Sequence, residues 1–144
     1  GLVAAAKAGA VEALVAALRH GERSVQEPAM QTLYNLAMCG ETRQHVAHDE
    51  ECVGACVHML RTSEVSEVKT RAAATLAILA AGTRRADLLA SGGVEALMRL
   101  LQREGEARST ALQAVRALSV LAEDTASHAL IAAAGIAPLV AATA

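Results

Sequence analysis

The side chains in this chain best suited to chemistry lie between positions 45 and 58: His45, His48, Cys52, Cys56 and His58. Imidazoles and thiolates are the ligands of a tetrahedral zinc centre, and a helical i, i+4 pair such as Cys52 and Cys56 could supply two of them. Patterns for covalent or phosphoryl chemistry are missing. The chain has no G-x-x-x-x-G-K phosphate loop, no G-x-S-x-G nucleophile elbow and no H-E-x-x-H pair. Its His and Asp residues are few and dispersed, so no nucleophile, base and orienting group fall into one constellation. The expectation is a non-enzyme with no catalytic residue, no metal and no cofactor.

An internal repeat positions these residues. Val11, Val53, Val94 and Ile136 are spaced 42, 41 and 42 residues apart, and similar text surrounds each. It reads G-A-V-E-A-L-V-A-A-L from Gly9, G-G-V-E-A-L-M-R-L-L from Gly92 and G-I-A-P-L-V from Gly135. A substituted copy, E-C-V-G-A-C-V-H-M-L, starts at Glu51. In this alignment Cys56 replaces Leu14, Leu97 and Leu139, a core position, and Cys52 replaces Ala10, Gly93 and Gly135, a tight junction. A free cysteine behaves there as a small buried hydrophobe. Packing, not zinc, is the expected role.

Composition narrows the class further. At 144 residues, 53% hydrophobic and 19% charged, the chain can bury a core. One Tyr, no Phe and no Trp leave Leu, Val, Ile and Ala to fill it, which suits closely spaced helices. A net charge of −2, scattered basic residues and no interleaved aromatics disfavour nucleic acid. The charge-free stretches 72–83 and 129–144 are shorter than the roughly twenty residues a membrane span needs. The first residues do not read as a basic region followed by an apolar run and a cleavage site, so no membrane insertion is expected. An odd number of cysteines, three, speaks for a reducing compartment, cytoplasmic or nuclear.

Each repeat parses as a short, a medium and a longer helix. Medium helices are expected over 11–19, 53–61 and 94–103, with a fourth from Ile136, because apolar residues recur at threes and fours as in Val11, Leu14, Val15 and Leu18. Longer helices are expected from about Gln26, Glu67 and Glu106, where Ala29, Ala72 and Ala114, then Leu33, Leu76 and Leu118, then Leu36, Leu79 and Leu121 come into register. Ser24 and Glu27 form an S-x-x-E capping box, with Pro28 in the first turn. Short helices are expected over 42–47, 84–90 and 127–133, and residues 1–8 read as the tail of another. The domain plan is then a helix tail at 1–8, repeats at 9–48, 49–91 and 92–134, and the start of a fourth at 135–144. A chain that begins and stops inside repeats is expected to be an excerpt of a longer one, with self-association through its uncapped ends. Arg84–Arg85 and Glu50–Glu51 read as solvated faces or partner contacts.

All-helical repeats of forty to forty-seven residues indicate an armadillo or HEAT solenoid. V-Q-E-P-A-M-Q-T-L-Y-N-L-A over 25–37 closely resembles the third helix of armadillo repeats, and G-E-T-R-Q-H-V over 40–46 resembles the passage into that family's first helix. The resemblance covers essentially the whole chain. It implies an all-α, right-handed α-α superhelix, three helices per repeat, whose third helices line a concave groove for extended peptides.

The family's groove carries asparagines that pair with the ligand backbone and tryptophans that form side-chain pockets. Asn35 falls on the asparagine position and Gln31 on the tryptophan position; the next repeats hold Ile78 and Ala74, then Val120 and Arg116. One rung of three matches and no tryptophan exists, which weighs against a receptor for nuclear localisation signals. Residues four apart share a helix face, so the candidate groove is Glu27, Gln31 and Asn35, then Thr70, Ala74 and Ile78, then Leu112, Arg116 and Val120. The functional expectation is a protein-interaction scaffold holding a protein or peptide partner on that strip. The rival is a structural spacer in a cytoskeletal, axonemal or ubiquitin-ligase assembly that contacts mainly flanking repeats.

Overall fold

A computed structural model describes residues 2–123, and over them the backbone is helix and connection, without strand. Eight helices follow in order: α1 (Leu2–His20), α2 (Arg23–Met38), α3 (Arg43–His48), α4 (Cys52–Thr62), α5 (Ser66–Ala81), α6 (Arg85–Ala90), α7 (Gly93–Gln102) and α8 (Arg108–Ala122). They stack in two layers. In one, α4 lies between α1 and α7; in the other, α5 lies between α2 and α8. Each long helix also packs on the medium helix before it, α2 on α1, α5 on α4 and α8 on α7. The short helices α3 and α6 carry the chain from one unit to the next.

Repeat register and burial agree. Val11, Val53 and Val94 are all buried, as are Ala29, Ala72 and Ala114 and the trio Leu33, Leu76 and Leu118. The helices form because Ala and Leu dominate, and they stay because their apolar stripes meet. Each Leu so buried is worth roughly 1.5–3 kcal/mol of transfer free energy. Cys52 and Cys56 are fully buried in this core, at the junction and core positions that register assigns them.

Several local expectations are corrected. Residues 1–8 are not the tail of a separate short helix: from Leu2 the backbone runs unbroken through Gly9 to His20. No Pro or turn residue other than Gly9 interrupts that Ala-rich text, whereas the later junctions break at Asp49 and at Gly92. The capping box does not form. Glu22 is the N-cap of α2 and no side chain bonds its first turn, so Pro28 lies at the helix's sixth residue rather than in its first turn. Glu106 does not open the third long helix, which starts at Arg108. The expected short helix at 127–133, the fourth repeat near Ile136 and Leu139 lie outside the described residues.

Polar side chains tie the units together. Arg43 donates from Nε to the Ala37 carbonyl at 2.8 Å and from Nη2 to Met38 at 3.1 Å, satisfying the end of α2 and folding α3 back. Arg84 repeats the device across units, donating from Nε to Ala47 at 2.5 Å and from Nη2 to His48 at 3.1 Å, while Nη1 meets Asp87 at 2.8 Å. Arg85 donates to the Val120 carbonyl at 3.3 Å. The basic pair at 84–85 is therefore an inter-helix fastener, not a solvated face. At the α6–α7 junction Gly92 takes φ +78°, which L side chains resist. Gly93 beside it leaves no room for a Cβ against Leu88.

Candidate functional site

The candidate strip runs across α2, α5 and α8. On α2, Glu27, Gln31 and Asn35 succeed one another by one turn, and all three are exposed. No side-chain hydrogen bond or ion pair engages them among the described residues. The carbonyl of Asn35 accepts from the Cys39 amide at 3.1 Å, which closes the helix and leaves the carboxamide free. On α8, Leu112 and Arg116 are exposed, Leu112 to 59%, and Val120 is half-buried against the core.

The middle helix behaves differently. Ala74 is 7% exposed, Ile78 is half-buried against the core, and Thr70 is half-buried. Flanked on both sides, α5 has its strip residues recessed between those of α2 and α8. Thr70 is engaged too: its hydroxyl lies 2.7 Å from that of the buried Thr110 and donates to the Ser66 carbonyl at 2.8 Å. Thr70 is thus an inter-helix tie between α5 and α8. The nine residues divide into two exposed edges and one recessed centre.

Next to Thr70 lies an ion pair that the repeat pattern does not signal. Lys69 Nζ meets Glu106 Oε1 at 2.5 Å, with side chains only 5% and 6% exposed. It fastens α5 to the segment leading into α8. The register partner of Lys69 is Gln26, whose Nε2 instead donates to the Leu18 carbonyl at 3.2 Å.

The residues considered for zinc do not converge. Among the described residues no three His, Cys, Asp or Glu side chains come together as metal ligands do. All three cysteines are free; Cys39 is exposed, Cys52 and Cys56 are buried. The hydrogen bond from Cys52, then burial, pushes the Cys56 thiol well above its ordinary range. Cys39 shifts the other way: the Glu41 amide, then the hydroxyl and amide of Thr42, favour its thiolate. Among the described residues, no helix is long and apolar enough to cross a membrane.

Comparison with known proteins bears on the fold. The armadillo/beta-catenin-like repeat model matches residues 3–38, which are most of α1 and all of α2. No curated protein and no solved structure matches the chain significantly. Armadillo repeats are generally protein-interaction scaffolds. Residues 3–38 are thus similar to an armadillo repeat, and the two-layer stack of helices that continues them is consistent with an armadillo-type α-solenoid fold.

Proposed function

We propose that this chain is a scaffold that holds an extended segment or helix of a partner protein along the α2–α5–α8 strip. The observation that carries this reading is the free polar edge on either side of a recessed apolar centre: Gln31 and Asn35 on α2, Arg116 on α8, and Ala74 with Ile78 between them. An apolar floor supplies contact area, and unpartnered amide and guanidinium groups at its rim supply hydrogen bonds that fix register. Asn35 is free to bond a partner's backbone because its carboxamide has no bond among the described residues. Three unpaired thiols support placing the protein in a reducing compartment, the cytosol or nucleus.

Photo-crosslinkers placed at positions 35 and 116 should trap the same polypeptide in cell extract. Asn35→Ala combined with Arg116→Glu should then weaken that polypeptide's binding roughly tenfold or more by calorimetry, with helicity by circular dichroism unchanged. Equal affinity in the double variant removes the strip as the binding surface and favours the spacer.

A further inference from the structure

The layer of medium helices carries a charge pattern that the strip does not explain. A cleft of about 370 Å³ opens between the C-terminal ends of α4 and α7. Leu60, Ala96 and Leu100 form its apolar wall, and Arg61, Arg99 and Arg103 surround it. No acidic residue lines it. The three arginines are exposed, and among the described residues none has a carboxylate within ion-pair distance. Arg61 makes one long contact, 3.5 Å to the Gly92 carbonyl. Glu95, one turn before Arg99, does not pair with it. A second cleft of about 320 Å³ shares Arg61 and extends the basic row to Arg19, His20 and His58. Beyond Arg19 the sign changes, where Glu50, Glu51 and Asp87 gather.

Cations in the last turn of a helix complement its dipole, which accounts for a basic residue at each of these helix ends. It does not account for three guanidinium groups around one cleft without a carboxylate, in a chain with fifteen acidic residues against thirteen basic. Like charges so placed repel until an anion joins them. Guanidinium groups match carboxylates in a two-pronged geometry, and an apolar wall beside them accepts an aliphatic side chain. Single-stranded nucleic acid suits the α4–α7 cleft poorly, since no Phe, Tyr, Trp or His lines it to offer a stacking surface. We infer that the α4–α7 cleft docks an acidic segment of a partner protein, with Asp or Glu side chains on Arg61, Arg99 and Arg103 and an apolar residue against Leu60 and Leu100. Because this surface belongs to the other layer, it is independent of the strip and could be filled at the same time.

The test uses the whole chain and a short labelled peptide of alternating glutamate, aspartate and leucine. Saturable binding that weakens with added salt is expected. Arg61→Gln with Arg99→Gln should reduce affinity roughly tenfold or more, the corresponding lysine pair less, and Arg116→Glu not at all. These side chains are exposed, so circular dichroism should confirm an unchanged fold. The proposal is overturned if the peptide's glutamine and asparagine counterpart binds equally well, or if the double variant keeps wild-type affinity. It is also overturned if a single-stranded oligonucleotide binds this cleft more tightly than the peptide. Retained peptide binding in Arg116→Glu, together with loss of the trapped polypeptide there, would separate this site from the strip.

Discussion

Cys39 and Cys56 carry the same thiol into opposite surroundings, and reagents should report the difference. Cys39 is exposed with its thiolate favoured by the Glu41 amide, while Cys56 is buried and held protonated beside Cys52. A maleimide or iodoacetamide should therefore label one cysteine of three in the native chain, with the other two reacting only after denaturation. The rate at Cys39 should rise at a lower pH than for an unstructured thiol, whose pKa is about 8.5. Native labelling at Cys56 by peptide mapping would contradict the burial of α4. The raised Cys56 pKa has its own consequence. The folded state keeps a proton that the unfolded chain releases above about pH 8.5, so this contribution to stability is complete below that pH and declines as pH rises toward the folded pKa. Cys56→Ala should flatten that alkaline decline in a series of urea titrations, and an equally steep decline in the variant would assign it to another group.

At the scale of elements, the joint between α5 and α8 is held by a buried charge pair and a hydroxyl pair. Lys69 and Glu106 are each almost sealed from water, so removing one strands the other in a low dielectric. Lys69→Met alone should cost about 3–5 kcal/mol in denaturant unfolding. Combining it with Glu106→Leu should recover most of that loss, because an apolar pair of similar volume can replace a buried ion pair. If both single variants stay within about 0.5 kcal/mol of the parent chain, the pair is only a surface bridge in effect. This joint also shows what the amino-acid pattern could and could not reveal. Register found the core because Leu33, Leu76 and Leu118 answer one periodic rule, and it placed Asn35, Gln31 and Arg116 on exposed helix faces for the same reason. Ala74 was harder: its face is set by α5 having a neighbour on each side, which no single helix encodes. Lys69 with Glu106, and Arg84 with Ala47, join residues from different units, so no local period announces them. The capping box failed for a smaller reason, since α2 starts before Ser24 and a cap has no meaning inside a helix.

Across the whole molecule, stability should behave as a sum of unit terms and nearest-neighbour couplings, because each unit touches mainly the one before and the one after it. Two kinds of substitution separate those contributions. Leu76 is fully buried on α5, and Leu76→Ala should lower stability by about 2–5 kcal/mol through lost transfer energy and a cavity. Since α5 is packed between α2 and α8, that loss should be felt by every probe in one cooperative transition. Arg84 works at a boundary. Its guanidinium satisfies the last carbonyls of α3 from the N-cap of α6, near the end of the following unit, and Asp87 holds it in place. Arg84→Ala leaves those carbonyls to water and removes a fastener between units, at a cost of about 1–3 kcal/mol. The distinguishing sign is cooperativity, not midpoint alone. Urea unfolding of Arg84→Ala should broaden, with labelling at Cys39, before the boundary helix, rising at lower urea than labelling at Cys52 and Cys56 beyond it. Coincident labelling curves with an unbroadened transition would mean that the packing of α2 on α5 couples the units by itself and that Arg84 only finishes a helix end.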